Sequence, residues 1–153
     1  MPKRSAGLIM YRTQGGCLEV LLVHPGGPFW ANKDAGAWSI PKGEIEAAEQ
    51  PLESARREFY EETGFPANAP FVELGEVRQN GRKVVLAWAF AGDCDPTQLR
   101  SILCEIEWPP RSGRMLQFPE IDRGAWFSIE AARRKIVIGQ TALLDKLCAA
   151  LAI

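Results

Sequence analysis

Three carboxylates, Glu58, Glu61 and Glu62, fall within a five-residue stretch. On a helix, side chains three or four positions apart are neighbours on one face. The three acids therefore emerge along nearly one stripe, which reads as an exposed acidic face. Like charges at these spacings destabilise a helix, so something must offset the repulsion. Arg57 offsets part of it. A hard divalent cation would offset more, because magnesium takes oxygen ligands, few of them from protein, and shares its shell with phosphate oxygens. The competing reading is a solvated face whose acids pair with the neighbouring arginines Arg56 and Arg57.

The surroundings favour the metal. Gly43 is followed after five residues by Glu49, and after seven more by Arg57-Glu58-Phe59-Tyr60-Glu61-Glu62-Thr63-Gly64-Phe65. This run resembles the Nudix box, Gly-x5-Glu-x7-Arg-Glu-U-x-Glu-Glu-x-Gly-U with U apolar, at every specified position from Gly43 to Phe65. A weaker resemblance runs from Trp38-Ser39-Ile40-Pro41-Lys42-Gly43 to the segment at Trp126-Phe127.

The resemblance implies a Nudix-type α/β/α sandwich with a mixed β-sheet, as one domain over residues 1–153, with the box as a loop–helix–loop. It implies that Glu58, Glu61 and Glu62 bind metal, with the Gly43 carbonyl as a further ligand. Arg57 and Glu49 would form an ion pair that fixes the loop against the helix. Family enzymes often draw one more carboxylate from beyond the box, as metal ligand, general base or both, and Glu105, Glu107 and Glu120 are the candidates. Glu120 lies six residues before Trp126, a spacing found in several family members, and is the choice here. Glu105 and Glu107 alternate with Ile106 in a strand and are expected to face solvent.

The implied activity is hydrolysis of a phosphoanhydride bond in a small nucleoside polyphosphate, with Mg²⁺ or Mn²⁺ as cofactor. The Pro41-Lys42-Gly43 lead-in and the stretch from Phe118 to Ile136 resemble enzymes of dinucleoside polyphosphates such as diadenosine tetraphosphate. A housecleaning pyrophosphatase of (d)NTPs is the alternative within the class. A non-catalytic ligand-sensing module is the alternative outside it, disfavoured by the intact box.

Candidate substrate contacts are fewer. Phe29 and Trp30 follow His24-Pro25-Gly26-Gly27-Pro28, and a flat adenine could stack between two such rings. Lys42 stands beside the metal loop, and Arg111 and Arg114 lie in a Pro- and Gly-rich stretch before Glu120; all three could meet phosphate oxygens. His24, the one histidine in the chain, follows an apolar strand and reads as structural.

The elements that must hold these groups follow from pattern. Leu8–Arg12 and Leu18–His24 read as strands around Gln14-Gly15-Gly16. The spacing of Leu52, Ala55 and Phe59 predicts a helix over Leu52–Thr63, with Pro51 at its first position and Gly64 as its stop. Val72–Arg78 and Arg82–Ala91 flank Asn80-Gly81, a hairpin signal. Strands are expected at Ile102–Trp108 and Ala125–Ser128, and helices at Ile129–Lys135 and Thr141–Ala150.

Composition narrows the class. The chain of 153 residues is 46% hydrophobic and 24% charged, with a net charge of −1. That is an ordinary globular balance with no basic footprint for nucleic acid or membrane. The apolar run at Gly7–Met10 is too short for a signal peptide, and no stretch spans a bilayer. Cys17, Cys94, Cys104 and Cys148 form no CxxC pair, so zinc is disfavoured and reduced, small core thiols in a cytoplasmic protein are expected. Oligomeric state is open.

Overall fold

A computed structural model describes residues 3–153. The chain runs β1 (Lys3–Gln14), β2 (Cys17–Pro25), β3 (Lys42–Glu44), α1 (Pro51–Thr63), β4 (Val72–Asn80), β5 (Lys83–Ala91), β6 (Leu103–Glu107), β7 (Met115–Pro119), β8 (Ile121–Ser128), α2 (Ile129–Lys135) and α3 (Thr141–Ala150). Short 3₁₀ turns occur at Pro96–Gln98 and Ile138–Gln140.

The main sheet is ordered β4-β5-β1-β2-β8, and β3 also pairs with β1. β1 and β5 run parallel while the other pairs are antiparallel, so the sheet is mixed. Along β1 successive side chains take opposite faces, as in any strand. Ala6, Leu8 and Met10 pack with Ala55 and Phe59 of α1. Ile9 packs on the other side with Leu143, Leu144 and Leu147 of α3. Both faces are thus covered by helices, which is the expected α/β/α sandwich.

β1 divides its free edge between two partners. Its Ser5–Gly7 half pairs with β3 and its Tyr11–Gln14 half with β2. The strands therefore diverge beside Gly7, and that divergence opens the functional cleft. Gly7 is obligatory in that place: a Cβ there would sit 2.6 Å from the Pro41 carbonyl oxygen.

Several expectations need correction. β1 is longer than Leu8–Arg12 because β5 pairs with it along nine positions, Lys3↔Lys83 to Tyr11↔Ala91. The stretch Met115–Pro119 is a strand, β7, held in a hairpin with β6. β8 begins at Ile121, earlier than Ala125, because β2 supplies partners for Arg123 and Gly124. The cysteines are all free, but none is a core residue; Cys17 is exposed and the other three are half-buried. Among the described residues no helix is long and apolar enough to cross a membrane.

Candidate active site

α1 starts and stops where its sequence dictates. Pro51 occupies the first turn, where its missing N–H is no loss. Gly64 closes the helix at φ 79°, and its N–H bonds to the Tyr60 carbonyl at 2.7 Å. The buried face of α1, Ala55 and Phe59, docks on β1 and β5, with Phe59 edge-on to Phe90 at 5.3 Å. That docking sets the rotation of the helix and turns its acidic stripe toward β3.

The stripe is not an exposed face, as the sequence had implied. Glu62 is only 5% exposed, and Glu58 has 13% of its side chain exposed against 35% for Glu61. Glu62 Oε1 accepts the backbone N–H of Lys42 at 3.1 Å. Glu58 lies directly on the backbone of Gly43, where any Cβ would collide with its carboxylate. The last turn of α1 and the β3 segment are thus seated against each other through the two acids.

Arg57 organises the other side. Its Nε and Nη2 donate to the two oxygens of Glu49 at 2.8 and 3.1 Å. Its Nη1 donates to Glu58 at 3.0 Å and to Glu61 at 3.2 Å, and Nη2 reaches the Glu44 carbonyl at 3.3 Å. Ser54 also donates to Glu49. The Arg57 fork, then the Ser54 hydroxyl, hold the Glu49 carboxyl down at about 2. The loop between β3 and α1 is therefore strapped to the helix through one guanidinium.

Glu120 enters from the opposite side, at the junction of β7 and β8. Its backbone is fixed at both ends: its N–H bonds to the Ile102 carbonyl and its carbonyl accepts from Gly26, both at 2.8 Å. It lines one cavity of about 690 Å³ with Lys42, Gly43, Glu58, Glu61 and Glu62. Burial, then the charge of Glu120, pushes the Glu62 carboxyl well above its ordinary value. Burial also raises Glu58, with Glu61 and Glu120 adding to the rise and Arg57 opposing it. Carboxylates from two elements are thus gathered in one partly dry cleft, where burial outweighs the cations beside Glu58 and Glu62.

Among the described residues, no three His, Cys, Asp or Glu side chains are placed to hold a metal ion as they stand. The reason is visible: Arg57 engages Glu58 and Glu61, and the Lys42 N–H engages Glu62. The donor set is nevertheless oxygen-only, anionic and partly desolvated, which suits a hard cation such as Mg²⁺.

The remaining candidates divide. Lys42 lines the cavity, and burial lowers its ammonium while Glu62 opposes the change. Trp30 lines it too, whereas Phe29 is 55% exposed and outside its wall. The two rings pack edge to face, 5.0 Å apart at 82°, so no parallel slot for adenine exists between them. Lys33 instead covers the Phe29 ring at 3.6 Å. Arg111 and Arg114 lie in the turn between β6 and β7 and are not among the cavity's lining residues. Glu105 and Glu107 are exposed, and Glu107 accepts the N–H groups of Arg111 and Gly113 in that same turn. His24 is fully buried, with Nδ1 3.0 Å from Asp122 and Nε2 2.6 Å from the Lys33 carbonyl.

The sequence missed part of the wall. Lys3 and Lys83 line the cavity, brought together by the parallel pairing of β1 with β5. Gln79 and Gln140 line it as well. Residues about 60 or more positions apart carry no local signal of such a meeting, and only the tertiary fold supplies it.

The NUDIX domain family model matches residues 1–147. Among curated proteins, an RNA pyrophosphohydrolase of Cereibacter sphaeroides is 37% identical over 65 residues, covering 40% of this chain and 38% of that protein. An RNA pyrophosphohydrolase of Bartonella henselae is 25% identical over 149 residues, covering 84% of this chain and 77% of that protein. Among solved structures, the C. elegans Ap4A hydrolase in a binary complex superposes with a TM-score of 0.63 at 22% identity, covering 98% of each chain.

Proposed function

The chain belongs to the NUDIX family, and from that premise we propose that it hydrolyses a phosphoanhydride bond in a nucleoside polyphosphate, with residues 1–153 acting as one domain. One observation carries the reading. The Glu58 carboxylate rests on the Gly43 backbone, and Glu62 is buried beside Lys42, in a cleft that Glu120 faces from the other side.

Glu58 and Glu62, with the Gly43 carbonyl and with Glu61 and Glu120 nearby, would hold a divalent cation, Mg²⁺ or Mn²⁺. When bound, it would neutralise phosphate oxygens and make an adjacent water easier to deprotonate. The chain's own groups do the rest. Glu49 and Arg57 keep the loop and helix in register, so that Glu58 and Gly43 stay adjacent. Glu120 stands on a separate element with its backbone pinned, and it would take the proton of an attacking water. Lys42, Lys83 and Lys3 line the same cleft and neutralise the phosphate chain and the departing phosphate.

A mononucleotide or dinucleotide carrying three or more phosphates fits a cleft walled by three lysines. The names of the curated relatives favour a second reading, in which the anhydride belongs to an RNA chain. The test is a ³¹P NMR panel in ¹⁸O-water with Mg²⁺. It would contain nucleoside triphosphates, diadenosine tetraphosphate, ADP-ribose and a triphosphate-bearing RNA. Cleavage of polyphosphates, with ¹⁸O in one product and no reaction in EDTA, supports the proposal. Stability of every compound in the panel refutes it.

A further inference from the structure

The cavity wall on the α3 side of the sheet carries two amides, and their orientation is fixed by donors that cannot be reversed. The backbone N–H of Ile40 can only donate, and it meets Gln140 at 3.0 Å, so the atom there is Oε1. Gln140 Nε2 must then face Ser39 Oγ at 2.9 Å and Gln79 at 3.1 Å. The Ser39 hydroxyl donates to the Ile40 carbonyl at 2.7 Å, which leaves its lone pair for Gln140. It follows that the Gln79 atom facing Gln140 is the acceptor Oε1. The Nε2 of Gln79 is what remains, and among the described residues it donates to no protein atom. Gln140 is fully buried while Gln79 is half-buried at the cavity wall.

Backbone geometry holds the pair together. Gly139 packs on the carbonyl of Gln79 so closely that any Cβ would collide with it. The 3₁₀ turn at Ile138–Gln140 is thereby pressed on the end of β4, and the flanking cavity wall is apolar at Trp30 and Val137.

We propose that this wall is a nucleobase subsite in which Gln79 Nε2 reads the base and Gln140 is the positioning residue that aims it. The proposal rests on the reading of the carboxylate end of the same cavity as a phosphate site. A wall that offers a donor, with its amide oxygen already engaged, selects an edge made of acceptors. The 6-oxopurines present two acceptors there, O6 and N7, whereas adenine presents N7 alone beside the N6 amino group, a donor that faces the Gln79 N–H groups unfavourably. The subsite therefore takes guanine or hypoxanthine nucleotides ahead of adenine ones, contrary to the adenine expected from the sequence.

Monophosphates test this without turnover or metal, by isothermal titration with IMP, GMP and AMP. Wild-type protein binds IMP and GMP about five- to tenfold more tightly than AMP, the discrimination of one hydrogen bond. In Gln79→Glu, one carboxylate oxygen takes the Gln140 donor and the other faces the cavity as an acceptor, so the order reverses in favour of AMP. Gln79→Met and Gln140→Met bring the IMP-to-AMP ratio near one, with thermal melts confirming that each variant is folded. Equal or tighter binding of AMP by the wild type overturns the proposal. So does a failure of all three monophosphates to bind, or a ratio unmoved by Gln79→Glu. A chain that cuts no polyphosphate yet keeps the IMP preference loses the hydrolytic reading and retains the subsite.

Discussion

The carboxylate of Glu62 accepts the backbone N–H of Lys42 at 3.1 Å from a position only 5% exposed to solvent. A single hydrogen bond is meagre support for a buried charge. Burial and Glu120 hold this carboxyl well above its ordinary value of 4.5. A raised folded value means that its favourable contribution is complete below about pH 4.5 and is lost as pH rises through the folded value. At neutral pH without metal, the buried carboxyl therefore works against folding, because the unfolded chain ionises it at lower cost. Glu62→Gln keeps an acceptor for the Lys42 N–H and removes the charge. The variant should melt higher than wild type in EDTA at pH 7.5, by about 2–4 °C per kcal/mol released. Mg²⁺ should raise the wild-type midpoint and leave that of the variant nearly unchanged. Turnover should fall by more than about 100-fold. Differential scanning fluorimetry and a phosphate-release assay read both effects.

The Glu49–Arg57 strap gives the opposite pH dependence. The Glu49 carboxyl is held at about 2, below its ordinary 4.5. Its contribution to stability is present above about pH 4.5 and is lost as pH falls through about 2. The difference in thermal midpoint between wild type and Glu49→Gln should be constant above about pH 5 and shrink steadily toward pH 2. A difference that does not change across that range would show that the strap carries no ionic component.

Gly43→Ala should separate site from fold. The new methyl group would occupy the place of the Glu58 carboxylate, and Glu58 must move away. Gly43 is not among the glycines with positive φ, so its backbone tolerates alanine. Circular dichroism should be unchanged while turnover drops by about tenfold or more. A fully active alanine variant would show that Glu58 and the Gly43 backbone need not be adjacent.

Glu120→Gln should lower kcat by about 100-fold or more with little change in KM, the pattern of a lost proton acceptor. An unchanged kcat would move that role to Glu61 or Glu58, because Glu105 and Glu107 are exposed on the β6–β7 hairpin.

Much of this arrangement was legible in the sequence, and the limits have physical causes. α1 could be read to within one residue because Pro51 and Gly64 mark its ends by backbone chemistry. The β4–β5 turn followed from Asn80-Gly81, and α3 from the spacing of Leu143, Leu144 and Leu147. Glu62 misled, since a charged residue in an acidic run reads as solvated; its burial depends on how Phe59 and Ala55 rotate the helix. β7 was hidden because Met115, Leu116 and Gln117 are all exposed, leaving no alternation to see. Arg111 and Arg114 looked near Glu120 in sequence, but the hairpin places them outside the cavity wall. Gln79 and Gln140 are ordinary amides until the sheet and Gly139 set them side by side.

The central claim is that the acids of α1 and the backbone of Gly43 grip a divalent ion that phosphate also contacts. Anomalous diffraction from crystals soaked in Mn²⁺ with a non-hydrolysable nucleotide triphosphate tests it most directly. The account predicts a manganese peak bounded by the Glu58 and Glu62 carboxylates and the Gly43 carbonyl, with nucleotide phosphate oxygens completing the shell. A crystal in which the nucleotide is bound, no peak lies at that position, and Glu58 and Glu61 remain with Arg57 would contradict it.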